Sequence, residues 1–230
     1  EKGRPAARAY DRVDYKDMNI FIRAQIGDVL AVRIPETAGV PGKNVFGEDI
    51  APKQGKALAL PQGKNTKIVN NHELVALIDG QIVDDGKKIS VDPHLVIDSS
   101  VDVGTGNVDF AGSIEIKGDV ESGFIVQATG DIEIKGMVGG AEVKGRSVIV
   151  HGGIRGMNIG KIRALEDVSI SFIENADVVA ERDIYVNDVV LHAQMRAGHH
   201  IRVEGRRGII TGGNIGAGES IRAKILGNAF

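Results

Sequence analysis

The chain is predicted to be all-β: a right-handed parallel β-helix (β-solenoid) of about seven coils, preceded by a small, irregular β domain. The first observation behind this is a phrase that recurs from Ser113: Ser113-Ile-Glu-Ile, Asp131-Ile-Glu-Ile, Ser147-Val-Ile-Val, Asp167-Val-Ser-Ile, Asp183-Ile-Tyr-Val, His200-Ile-Arg-Val and Ser220-Ile-Arg-Ala. Successive starts lie 18, 16, 20, 16, 17 and 20 residues apart. A polar residue followed by two apolar residues one apart is a short strand with one buried face. The second observation is a change in punctuation. All six prolines lie at or before Pro93, whereas glycine rises from 9 copies before residue 96 to 22 after it. Stacked parallel strands need every backbone donor, and proline removes one. The third is composition: 42% apolar residues but only 4% aromatic, with no Trp, so β-branched residues and glycine build the interior.

Residues 1–95 read as a β-rich capping domain. Asn19-Ile-Phe-Ile-Arg23, Val29-Leu-Ala-Val-Arg-Ile34, Glu73-Leu-Val-Ala-Leu-Ile78 and Lys88-Ile-Ser-Val91 are its candidate strands. Pro41-Gly42, Phe46-Gly47, Pro61-Gln-Gly63, Asp79-Gly80 and Asp84-Asp-Gly86 are the turns between them. No stretch sustains a helical period. A cap has a physical purpose, because the terminal coil of a solenoid exposes an edge that would otherwise pair with other chains.

Residues 96–230 read as the solenoid, clearest over 113–130. Ile114, Ile116, Val120, Val126 and Ala128 point inward; Glu115, Lys117, Asp119 and Gln127 point outward. Gly118, Gly123 and Gly130 turn the corners, where positive φ is cheap for glycine. This makes three short strands per coil, and seven coils at about 4.8 Å each span roughly 34 Å. Right-handed winding is the default for parallel crossovers. A left-handed hexapeptide helix would need a stricter period than intervals of 16 to 20 allow.

No cysteine is present, so no disulfide or thiolate site can form. No signal peptide and no long uncharged apolar run is seen, which predicts no membrane insertion. The chain opens at Glu1 without Met and reads as a piece of a longer protein. The net charge of −3 implies no partner, but its distribution does. Residues 96–193 carry 8 Lys+Arg against 16 Asp+Glu, and residues 194–230 carry 6 against 2. A rod would run from an acidic body to a basic end.

Several segments resemble the flagellar assembly protein A family: Gly39-Val-Pro-Gly-Lys-Asn-Val-Phe-Gly47, Leu77-Ile-Asp-Gly80, Val101-Asp-Val-Gly-Thr-Gly-Asn-Val-Asp-Phe-Ala-Gly112, the ladder phrase Gly130-Asp-Ile-Glu-Ile-Lys-Gly136, and Ile209-Ile-Thr-Gly-Gly213. The segment 101–112 is the most specific, because a generic solenoid does not require it. The resemblance covers nearly the whole chain. It implies a β domain followed by a β-solenoid, in a bacterial cytoplasmic protein linked to flagellar assembly or polar placement. It brings no catalytic residue with it.

Candidate sites are few. The histidines His72, His94, His151, His192, His199 and His200 fall at different coil positions, and a metal site needs several to converge. Asp131, Asp167 and Asp183 recur at coil starts. Such a column could cleave polysaccharide or hold calcium, but Ser113, Ser147, His200 and Ser220 interrupt it, and capping of backbone N–H groups is the expected role. The runs Gly136–Gly140 and Gly212–Gly216 open no helix and lack the ending of a phosphate loop. No catalytic, cofactor or metal residue is therefore expected.

The basic end, Arg202, Arg206, Arg207, Arg222 and Lys224, is the candidate interaction surface. With three tyrosines and no Trp to stack bases, it is not read as a nucleic-acid site. Its first reading is a solvated face; the sharper one is a docking surface for an acidic protein, or for the acidic body of another copy, which would make a homo-oligomer. The functional expectation is a non-enzymatic scaffold for protein partners in flagellar assembly or polar organisation. The alternatives are a self-assembling cytoskeletal protein resembling the bactofilins and a carbohydrate-active β-helix enzyme.

Overall fold

The computed structural model describes residues 6–8, 12–14, 23–53 and 55–227. Among them there is no helix; the elements are all β. Two compact units are present, Arg23–Asp92 and one that contains the described residues from Pro93 onward.

In the second unit two parallel sheets of eight strands run side by side. The first comprises His94–Ile97, Ser113–Ile116, Ile132–Ile134, Val148–Val150, Val168–Ile170, Ile184–Val186, His200–Val203 and Ser220–Ala223. Each strand pairs with the next copy of the phrase in strict register, Ile114 with Ile132, Ile132 with Val148, Val148 with Val168. The second sheet is built from Val108–Phe110, Ile125–Ala128, Glu142–Gly145, Ile154–Ala164, Ile173–Ala180, Val189–Ala197, Ile209–Ala217 and Ile225–Leu226. A third wall begins as single parallel bridges, Val101 to Val120 to Val138 to Ile154. It continues within the longer strands as Ile154, Ile173, Val190 and Ile210. This is the predicted β-solenoid. Its eight rungs begin one phrase earlier than the repeat suggested, at His94–Ile97, where Val96 takes the outward place of Glu115.

One stack of side chains fills the interior. Ile114, Ile116, Val120, Val126 and Ala128, the residues read as inward, are all buried, and their equivalents above and below join the same core. Because each inward residue lies about 4.8 Å from its equivalent, β-branched side chains interlock without aromatic bulk. The unequal intervals have local causes. The rung after Val203 reaches its third-wall residue only at Ile210, whereas Val186 is followed by Val190 one rung earlier. In another rung a bulge between Arg155 and Gly160 holds Met157 and Asn158 at positive φ.

The corner glycines correct one expectation. Of Gly118, Gly123 and Gly130, Gly123 alone has positive φ, at 85°. Gly118 and Gly130 are needed for close stacking: a Cβ on Gly118 would sit 2.5 Å from Ser100 Oγ, and one on Gly130 2.5 Å from Ser113 Oγ.

The Arg23–Asp92 unit has two three-stranded antiparallel sheets, one of Ile89–Asp92, Gly80–Asp84 and Arg23–Ala24, the other of Val29–Val32, Glu73–Ala76 and Thr66–Val69. Its core is small: Ala24, Ala76 and Val91, with Leu30, Ile78 and Ile82 packed against them. The expected strands at Val29 and Glu73 are present in shortened form, and that at Lys88 is shifted by one residue to Ile89–Asp92. Asn19–Ile22 lie outside the described residues. Thr66–Val69 and Gly80–Asp84 were not anticipated.

Candidate interaction surface

The outward positions of the first sheet form columns that run the length of the solenoid. One reads Val96, Glu115, Glu133, Ile149, Ser169, Tyr185, Arg202, Arg222. The charge asymmetry of the sequence thus becomes a column that is acidic in its early rungs and cationic in its last two. Over residues 96–193 six of the eight cations meet a carboxylate: Lys117 with Asp98, Lys135 with Glu133, Arg146 with Asp131, Arg155 with Glu174, Arg163 with Asp177 and Arg182 with Asp167.

The pattern changes at the basic end. Arg202 lies in register between Tyr185 and Arg222, with its guanidinium 5.6 Å from the Tyr185 ring centre, a favourable cation–π stack. Its Nε is buried without a hydrogen-bond partner. Arg206 and Arg207 occupy the corner after Val203, where Arg206 N–H donates to Asn187 O at 3.0 Å. Arg207 is tied to Asp188, Nε to Oδ1 at 2.8 Å, and that bond holds the Asp188 carboxyl below its ordinary range. Lys224 donates its ammonium to Gly205 O. Of the five residues, then, the structure brings Arg202 and Arg222 side by side, gathers the other three at the adjoining corner, and neutralises Arg207.

The aspartates at the coil starts act largely as rung-to-rung caps. Asp167 Oδ1 accepts the N–H of Asp183 at 3.2 Å, and Asp183 Oδ1 accepts that of His200 at 2.9 Å. Burial pushes the Asp183 carboxyl up, but the His200 N–H and the Tyr185 hydroxyl outweigh it, leaving the group below its usual value. A general acid for glycoside cleavage needs the opposite shift. Tyr185, donating to Asp183 Oδ2 at 3.0 Å, is raised in turn. Asp131 is held down by the Arg146 guanidinium.

The histidines are dispersed among carboxylates of neighbouring rungs, His151 on Glu133 at 2.7 Å and His94 3.7 Å from Glu115. Among the described residues no group of three or more His, Cys, Asp or Glu could hold a metal. Ser220 Oγ lies 2.9 Å from His200 Nδ1, and His200 Nε2 lies 3.5 Å from Glu219. That order suggests a nucleophile and base, but the N–H groups of Glu219 and Ser220 both bind His199 O and offer no oxyanion site.

Sequence reading missed a second feature, a groove of about 380 Å³ on the second sheet lined by Arg163, Asp177, Gln194, Arg196 and Asn214 among others. These residues lie on strands whose bends the repeat does not announce. No signal in the sequence marks it, because the groove depends on the register between these strands.

Fold and surface define a class: a small β unit followed in the chain by a β-solenoid with charged, laddered walls. The flagellar assembly protein A β-solenoid domain model matches residues 93–230, and the model for the N-terminal region of that protein matches residues 1–87. The chain belongs to the flagellar assembly protein A family. No curated protein and no solved structure matches it. No helix among the described residues is long and apolar enough to cross a membrane.

Proposed function

We propose that the chain is a non-enzymatic scaffold of the bacterial cytoplasm, which docks an acidic protein partner on the Arg202, Arg206, Arg207, Arg222 and Lys224 surface during flagellar assembly or polar organisation. The observation that carries this reading is the stacked pair Arg202 and Arg222. Two guanidiniums share one column without a carboxylate between them, whereas Lys135 and Arg146 in earlier rungs each meet a carboxylate. Like charges directly opposite on neighbouring strands are unfavourable, so an anionic group laid across both gains from each. Planar guanidiniums favour carboxylates, which they engage in bidentate fashion.

The wall carries no paired carboxylates with opposed pKa shifts, which weighs against a carbohydrate-active enzyme.

The test replaces the native copy in its bacterium by an Arg202→Glu/Arg222→Glu variant. Altered flagellar number or position at unchanged protein level is the expected result. Normal flagella in that strain would remove the docking surface, and normal flagella after deletion of the whole gene would remove the flagellar role.

A further inference from the structure

The Arg23–Asp92 unit carries a strand with one side unused. Val29–Val32 is the edge of its three-stranded sheet, and among the described residues its outer side pairs with no other strand. On its inner side Val29 stands opposite Val75, Ala31 opposite Leu74 and Val32 opposite Glu73, so Leu30 is an extra, bulged residue. Directly opposed residues share a face, and consecutive ones alternate. Leu74 is buried at 0% exposure, which puts Ala31 on the core face and both Val29 and Val32 on the outer face. Their exposures of 51% and 54% agree. In a strand without a bulge, residues three apart would point to opposite faces.

The same counting reaches the charged ends. Asp28 O accepts the Ala76 N–H, and Arg33 N–H donates to His72 O, so Asp28 and Arg33 share the face opposite to Val29 and Val32. Arg33 Nε is buried without a hydrogen-bond partner, an uncommon state for a guanidinium nitrogen.

We propose that this edge docks a second copy of the chain, strand to strand and antiparallel about a two-fold axis. Val29 then faces the partner copy's Val32, and Asp28 faces the partner copy's Arg33. The segment Asp28-Val-Leu-Ala-Val-Arg33 reads acid, apolar, base, so its own reverse is its complement. That self-complementarity selects a second copy as the occupant. A two-fold axis makes every contact twice, and the Leu30 bulge lets the register match face to face. The joined sheets become one six-stranded sheet with this edge closed. Ile26 and the partner copy's Ile34, exposed at 69% and 87% in the single chain, fall at the same end. The carboxylate of Asp28, which already accepts the Gln25 N–H at 2.7 Å, retains lone pairs for the guanidinium.

Sedimentation equilibrium of the whole chain over about a hundredfold range of concentration tests this. The expected mass rises from 24.4 kDa towards twice that value. Asp28→Arg and Arg33→Asp should each weaken the dimer about tenfold or more, and the double variant should recover it, because the exchange keeps opposite charges facing. The chain has no cysteine, so a mixture of Val29→Cys and Val32→Cys copies provides a readout that leaves both charges in place. It should form a disulfide between unlike copies faster than either variant forms one alone. A single-chain mass at every concentration overturns the proposal. So does a dimer indifferent to both single changes, a double variant that folds but stays weak, or cross-linking with no preference for the mixed pair.

Discussion

Gly136 stands in a corner where the chain of the previous rung passes directly beneath it. A Cβ there would lie 2.1 Å from Asp119 Oδ1 and 2.5 Å from Gly118 O. The second of these atoms is backbone and cannot step aside without moving the rung. Gly136→Ala should therefore cost about 1–3 kcal/mol, the range for overpacking a tight site, and lower the melting temperature. Gly216 has ordinary φ and open space around its Cβ position, so Gly216→Ala should leave melting nearly unchanged. Equal losses at both positions would mean that general backbone stiffness, and not rung spacing, sets the glycine requirement. The repeat made glycine at these corners legible. It misassigned the cause at Gly118 and Gly130, because contacts with Ser100 and Ser113, one coil back in the chain, exist only once the coils are stacked.

At the scale of the element, a rung is held to its neighbours by its ladder and by side chains that reach one coil onward. Asp119 Oδ1 accepts the Met137 N–H at 2.7 Å, and Ser122 Oγ accepts that of Gly140 at 2.9 Å. Asp131 and Arg146 join successive rungs through two hydrogen bonds. The Arg146 contact lowers the Asp131 pKa. A carboxylate depressed in the folded state adds stability above its unfolded pKa of about 4 and loses it as pH falls through the folded value. Thermal melts from neutral pH to below that range should show the wild type losing more stability on acidification than Arg146→Gln does. Identical acid slopes would mean the pair contributes nothing; both side chains are about half exposed, so the difference is expected to be small.

The element boundaries were legible where the alternation is clean, as in Ser113–Ile116. They were not legible at Thr66–Val69 or Gly80–Asp84, whose partners Glu73–Ala76 and Ile89–Asp92 supply the order that their own sequences lack.

Across the solenoid as a whole, each rung meets only its neighbours, so stability is close to a sum of rung and interface terms. Ile170 sits mid-stack between Val150 and Val186 at 0% exposure. Ile170→Ala should cost about 2–5 kcal/mol, as burial loss and cavity add. Amide exchange should accelerate most in Val148–Val150 and Ile184–Val186, with a lesser effect in rungs further along. Uniform acceleration of every rung would mean that the stack unfolds as a single cooperative body.

The periodic phrase, the retreat of proline and the scarcity of aromatics were enough to determine an all-β solenoid, because stacking identical turns forces the same residue class into the same place each time. The charge gradient was equally plain. Tertiary structure alone decided how the cations of the basic end are held: Arg207 on the Asp188 carboxylate, Lys224 on a carbonyl, Arg202 over the face of Tyr185 with its charge unneutralised. It also decided that Val29 and Val32 share a face, through a bulge visible only against Glu73–Ala76. Periodicity specifies which way a residue points along its own strand, whereas partners on neighbouring strands are chosen by register, corner length and bulge, which appear only when the chain is folded on itself.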